Sequence, residues 1–330
     1  MKKFNSRNIR TDIALETHQI LTHYYESDNI DGVKMRIETN EDKDIKVTWI
    51  EVLDEKGAEE MNQPIGKYVT IECLEMKIKD VDAHKKIIKL LAVKLNELYD
   101  FKKETKILIV GLGNWNITAD ALGPKVISKI LVTRHIRDTL FENIQDGISE
   151  VSCVSPGVMG LTGIETAEIV KGIVSQTKPD VVIAVDALAS RSVTRLNSTI
   201  QMNNTGINPG SGLGNKRAAL NKKNLGAEVI GLGVPTVVNA VTLVNDTIEN
   251  MIRGAEHEDK TSFFETSENW GEDNKYNMIK EILEPYTENM FVTPKEIDDV
   301  IENLSNIIAN GLNIGLHQGL SESDINRFVY

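Results

Sequence analysis

Two cysteines in 330 residues, Cys73 and Cys153, lie far apart and within apolar runs. No CxxC or paired Cys/His spacing accompanies them, which argues against structural zinc. They read as buried reduced thiols, since free cysteine packs as a small hydrophobe. Long hydrophobic runs are also missing: none approaches the ~20 residues a membrane helix needs. The N-terminus lacks a charged–apolar–cleavage pattern, so a cytoplasmic protein is expected. No HExxH is present, no GxSxG, and no glycine-rich loop ending in GKS or GKT. Zinc-peptidase, serine-hydrolase and P-loop chemistries therefore have no motif here. Positive charge is in deficit, with 37 Lys+Arg against 49 Asp+Glu and a net charge of −12. That opposes a broad surface for phosphates or nucleic acid.

What is present is a strand–turn–acid–helix phrase over 106–125, KILIVGLGNWNITADALGPK. The apolar run Ile107–Val110 breaks at Gly111-Leu112-Gly113-Asn114, and Asp120 follows before an amphipathic run. The glycines invite a dinucleotide reading, but Asn116 stands where the third glycine of GxGxxG belongs. No acid ends a neighbouring strand at the usual distance of ~20 residues, so no nicotinamide or flavin cofactor is expected. The glycines fit a sharp backbone turn or close approach by a substrate chain. A second phrase, PDVVIAVDALASRS over 179–192, delivers another acid, Asp186, after the run Val181–Val185. Five apolar residues without alternation predict a strand buried on both faces, as in a parallel sheet covered by helices.

The remaining chain fits around these phrases. Period-two runs predict strands over 33–53, with a turn near 40–42, and over 67–74: a small antiparallel patch at the edge of something larger. Three- and four-residue apolar spacing predicts helices over 82–98, 124–133 and 236–251. Further helices are expected to open near Thr162-Gly163 and near Pro294, and further strands over 149–155, 198–202 and 228–232. The segment 255–275 is acidic and polar and reads as an exposed insertion. Together these predict an α/β fold, a doubly wound, mostly parallel sheet flanked by helices.

In such a sheet the site lies outside the carboxyl ends of the strands. Asp120 and Asp186 both fall there. Either alone could merely cap the following helix. As a close pair they would not ionise together: one keeps its proton, and the other can activate water. The loop Pro209–Arg217 reads either as a surface turn or as a source of backbone amides and positive charge, with Asn215, Lys216 and Arg217 at its end. Thr11-Asp12-Ile13-Ala14-Leu15-Glu16 reads locally as a solvated helix start capped by Thr11 or Asp12. His135 and His317 read as cations at helix ends.

Several segments together resemble one family. They are GLGNWNITADALGPK (111–125), LVTRHI (131–136), SPGVMGLTGIET (155–166), VDALASRS (185–192), NPGSGLGNKR (208–217), GVPTVVNA (233–240) and MFVTPKEID (290–298). They resemble the germination protease, or GPR endopeptidase, family of endospore-forming bacteria. The resemblance implies an atypical aspartic endopeptidase acting on small acid-soluble spore proteins during germination. It implies a self-processing zymogen of the forespore and spore core, and a homotetramer without membrane or direct nucleic-acid partners. It implies that Asp120 and Asp186 are catalytic. From the residues themselves, Gly113, Asn114, Asn215, Lys216 and Arg217 are expected to position substrate, with no cofactor or metal. Residues 11–16 look like both the processing site and the recognition sequence in substrates. The cut is carried to Asp12–Ile13, giving a prosegment 1–12 and a single domain 13–330. The fold is similar to hydrogenase-maturation peptidases, whose GxGN…D…G phrase is one residue shorter between Asn and Asp and whose metal-binding histidine has no clear counterpart here. A metal-dependent maturation peptidase and a non-catalytic binding module remain as alternatives.

Overall fold

The computed structural model describes residues 11–39, 44–102, 104–136, 148–210, 217–255, 290–320 and 325. The strands are β1 (Val33–Thr39), β2 (Lys46–Val52), β3 (Gly66–Glu72), β4 (Lys106–Gly111), β5 (Glu150–Val154), β6 (Val181–Ser190), β7 (Thr199–Asn203), β8 (Glu228–Asn239) and β9 (Phe291–Val292). The helices are α1 (Ala14–Tyr25), α2 (Glu55–Met61), α3 (Val81–Leu98), α4 (Leu122–Ile127), α5 (Met159–Thr162), α6 (Thr166–Thr177), α7 (Lys222–Leu225), α8 (Ala240–Ala255) and α9 (Ile297–Leu316).

The nine strands of the described residues join one sheet in the order β1-β2-β3-β7-β8-β6-β4-β5, with β9 added beside β8. The half β8-β6-β4-β5 is parallel, and β1-β2-β3-β7-β8 is antiparallel throughout. The sheet is therefore mixed rather than mostly parallel. The N-terminal strands are not an appended patch, because β3 pairs with β7 and continues the central sheet. β7 is buried at every position, which gives it the sequence character of a central strand whichever way it runs.

Alternation along β6 sends Val181, Ile183 and Val185 to one core and Val182 and Ala184 to the other. The first face is covered by α3, α4 and α9, whose apolar rows (Ile87, Leu91 and Leu95 of α3; Ile301, Leu304 and Ile308 of α9) interlock over it. The opposite face is covered by α6 over the parallel half. Over the antiparallel half it is covered by the start of α1, with Ile13, Ala14, Leu15 and Leu21 packed on Ile50, Val52 and Tyr68. Each of these buried aliphatic side chains stabilises the fold by about 1.5–3 kcal/mol.

Several boundaries move from their expected places for local reasons. β6 continues to Ser190 because β8 pairs with it as far as Val238, so Asp186 lies within the strand and not beyond its end. β8 likewise runs to Asn239, and α8 begins only at Ala240. α4 stops at Ile127, well short of Thr133. Gly163 ends the single turn α5 in a left-handed conformation, which postpones the longer helix to Thr166. The expected turn at 40–42 and almost all of the acidic segment 255–275 lie outside the described residues. Cys73 is buried and Cys153 half-buried, and both are free thiols. Among the described residues no helix is long and apolar enough to cross a membrane.

Candidate active site

The loop after β4 folds back on itself to hold Asp120. Leu112 N–H donates to the Val185 carbonyl (2.8 Å), tying the turn to β6. Gly113 sits at φ +114°, and a Cβ there would lie 2.0 Å from the Asp120 carbonyl oxygen, so only glycine fits. Asn114 N–H donates both to the Asp120 carbonyl (3.1 Å) and to Asp120 Oδ2 (2.8 Å). Thr236 Oγ1 donates to the Ala119 carbonyl (2.7 Å), anchoring the loop to β8. The N-cap of α4 is Ala121, without a side-chain cap bond. The Asp120 carboxylate is thus engaged by its own loop and does not cap the helix. Gly113 and Asn114 act here by shaping that loop.

Asp186 lies on β6, 6% exposed, with Oδ1 accepting from Ala187 N–H (2.9 Å). Burial raises its carboxyl well above the ordinary range; the negative charges of Asp120 and then Asp12 raise it further. The Ala187 amide and the positive charge of Arg217 act in the opposite sense. Asp120 is also raised by burial, against the Asn114 amide and the Arg217 charge. Asp120 is only half-buried, so it ionises first and Asp186 keeps the proton. Of the loop residues singled out in sequence, Arg217 reaches both carboxylates electrostatically, while Asn215 and Lys216 lie outside the described residues.

The raised carboxyl of Asp186 has a consequence for stability. Below about pH 4 it is protonated folded and unfolded alike. As pH rises, the unfolded chain loses this proton while the folded chain retains it. The stability tied to the protonated group is then lost progressively until the folded carboxyl ionises. Asp186→Asn is therefore expected to gain on wild type from about pH 4 upward, read as urea midpoints measured along a pH series. A gap that does not change with pH would contradict a raised Asp186.

The stretch Thr11–Glu16 is built into this site rather than solvated. Ile13, Ala14, Leu15, Glu16, Thr17 and His18 are all buried. Ile13 takes the N-cap position of α1 with no side-chain cap, so neither Thr11 nor Asp12 caps the helix. Instead Asp12 docks on β6: its N–H donates to the Ala189 carbonyl (3.1 Å), and its Oδ2 accepts from Ala189 N–H (2.9 Å). The β6–β8 register shifts between Leu188 and Ala189, where this added chain is received. Gln201 on β7 donates through Nε2 to the Asp12 carbonyl (2.7 Å) and accepts at Oε1 from Ala14 N–H (2.6 Å).

Glu16, 3% exposed, is held by a cradle at the end of β6. Its Oε2 accepts from Arg191 N–H (2.8 Å) and its Oε1 from Ser192 N–H (2.9 Å). Arg195 approaches Oε1 at 3.5 Å and is itself held by Glu72 (2.9 Å). Thr11 Oγ1 closes the cradle as a donor to Glu16. Gln201 and Arg195 are site features that sequence reasoning missed, and within the stretch 11–16 it gave Glu16 no role of its own. The available signal was Gln201, an amide between Ile200 and Met202 in a strand buried throughout.

His317 ends α9 as expected, but is fully buried with Nε2 against the Leu131 carbonyl (3.1 Å), and burial lowers its pKa. His135 lies in a single 3-10 turn rather than at the end of a longer helix. Among the described residues no group of three or more His, Cys, Asp or Glu is placed to hold a metal ion.

A sequence model described as "Germination protease" matches residues 11–266 and 254–329. The chain belongs to the germination protease family. It is 47% identical over 324 residues to the germination protease of Caldanaerobacter subterraneus subsp. tengcongensis, covering 98% of both chains. It is 46% identical over 326 residues to that of Clostridium perfringens strain 13, covering 98% of this chain and 99% of the relative. Against that of Bacillus cereus identity is 39% over 360 residues, covering 98% and 97%. Membership makes the chain a peptidase associated with spore germination. Within the family match fall both carboxylates and the docked segment Thr11–Glu16.

Proposed function

We propose that this chain is an endopeptidase in which Asp120 and Asp186 hydrolyse peptide bonds, made as a zymogen that cuts itself between Asp12 and Ile13. One observation carries the reading. The Asp12 peptide is hydrogen-bonded to Ala189 on the same strand as Asp186, and the Asp12 charge is felt by Asp186. This supports the chain's own acid–apolar bond, Asp12–Ile13, as the one that is cut.

The stronger upward shift of Asp186 and the greater exposure of Asp120 support a division of roles. Ionised Asp120 takes a proton from water as the water oxygen bonds to the Asp12 carbonyl carbon. Protonated Asp186 gives its proton to the Ile13 nitrogen as the C–N bond breaks. Asp120 leaves the cycle protonated and Asp186 ionised, and proton exchange with solvent resets the pair. Arg217 limits the repulsion between the carboxylates. In substrates the same groove would take a segment of the same pattern, an acid followed by an apolar residue, in small acid-soluble spore proteins. The resemblance supports a homotetramer of the forespore and spore core.

The test is intact-mass analysis of the purified full-length chain during maturation. Loss of residues 1–12, leaving Ile13 as the new N-terminus, is expected. A cut at another bond would remove the reading of Asp12–Ile13.

A further inference from the structure

We infer that Gln201 is a further catalytic residue, the group that polarises the scissile carbonyl by donating from its side-chain amide. This rests on the reading of Asp12–Ile13 as the bond that is cut.

The argument starts from sheet register. Asp186 on β6 pairs with Gly233 on β8, and Gln201 on β7 pairs with the same Gly233 from the other side. Residues opposed across a ladder share a face. Asp186 and Gln201 therefore stand on one face, separated by a residue without a side chain. Ile200 and Met202 point into the opposite core, which fixes that face independently. A Cβ at Gly233 would lie 2.6 Å from Leu188 Cγ and 2.7 Å from the Asp186 carbonyl, so the gap depends on glycine.

Gln201 straddles the bond in question. Nε2 donates to the Asp12 carbonyl oxygen (2.7 Å), and Oε1 accepts from Ala14 N–H (2.6 Å). The amide orientation is fixed by chemistry, because a carbonyl can only accept and a backbone N–H can only donate. Gln201 is 5% exposed, so this bond forms away from water. As water adds to the carbonyl carbon, negative charge collects on the Asp12 oxygen. A donor already aimed at that oxygen strengthens as the charge grows and needs no reorganisation. This leaves the Asp186 proton for the Ile13 nitrogen, so each step has its own donor. A neutral amide also suits a place beside Asp12, Asp120 and Asp186, where a further carboxylate would add repulsion.

The alternative role is a staple that merely holds the segment. The two roles separate when the rate of the cut and the docking of the segment are measured together. In full-length chains, conversion at Asp12–Ile13 is followed by mass spectrometry, and docking by hydrogen exchange of the amides of residues 16–18, none of which bonds to Gln201. Gln201→Ala is expected to slow conversion by about 10²–10³-fold, the usual loss for one such donor. Protection should change by only a few fold, since Ala189 and the Glu16 cradle still hold the segment. Gln201→Glu is expected to convert poorly near neutral pH and to recover, relative to wild type, as acid protonates the new carboxyl and restores a donor. Gln201→Ala conversion within about threefold of wild type would overturn the inference. So would a slowing matched by an equal loss of protection. If Gln201→Ala does not fold, the pH series of Gln201→Glu decides alone, and an absent acid recovery overturns it. A wild-type chain cut elsewhere, or not at all, overturns the functional reading and this one with it. A wild type cut at Asp12–Ile13 beside a fully active Gln201→Ala overturns only this one.

Discussion

Asp186→Asn is expected to slow peptide cleavage by about 10²–10⁴-fold, the range for removing a general acid or base. Asn cannot give up the proton that the leaving nitrogen needs. Asp120→Asn should fall in the same range, because an amide cannot accept a proton from water. The double variant should be little worse than either single one, since the two carboxyls act as a unit. Both single variants should fold. Burial and the charges of Asp120 and Asp12 raise the Asp186 carboxyl and so favour its neutral form, of which Asn is an isostere. Asp120→Asn keeps the carbonyl oxygen that accepts from Asn114 N–H. The assay pairs cleavage of a small acid-soluble spore protein with self-conversion, both followed by mass spectrometry. Full activity in either variant would sink the two-carboxylate mechanism. Binding without cleavage by the wild type at every pH would favour a non-catalytic module. Loss with chelator and rescue by a divalent ion would favour a metal-dependent peptidase.

The second large effect concerns the Glu16 cradle. Glu16→Ala removes the acceptor for the Arg191 and Ser192 amides and the partner that Thr11 and Arg195 face. Breaking a buried charged cluster on one side leaves the other side desolvated and unpaired. Arg195 keeps Glu72, which softens the loss. A net destabilisation of about 2–3 kcal/mol follows. Conversion should slow as well, because the segment loses the anchor that sets Asp12 against β6. Glu16→Gln keeps one oxygen acceptor and should lose less. Urea unfolding of both variants, compared with conversion rates, checks the ordering. Equal stability of Glu16→Ala and wild type would show that the cradle contributes nothing.

The same cradle shows why residues 11–16 misled as an isolated stretch. Thr11 and Asp12 before an apolar run look like helix caps, because capping is a local property. Their actual partners, Ala189, Gln201 and the Arg191–Ser192 amides, lie far along the chain. Sequence spacing carries no information about such partners. Asp120 shows the converse. Its glycine turn was legible because backbone conformation is local, and Gly113 at φ +114° is the residue that turn requires.

Determined by the sequence alone were the soft outlines: alternating strands and helices, a central strand buried on both faces, and the glycine turn that precedes Asp120. These follow from hydrophobic periodicity and from glycine and acid placement, which act over a few residues. Family membership was legible in the same way, through several short phrases taken together. Decided only by the tertiary structure were the mixed sheet, the continuation of β6 past Asp186, and the meeting of Asp186 and Gln201 across Gly233. A strand's direction and register depend on which partner completes its hydrogen bonds, and that partner is set by the packing of the whole chain. The upward shifts of the two carboxyls arise the same way, because burial and distant charges act on each acid and neither is written in its neighbours.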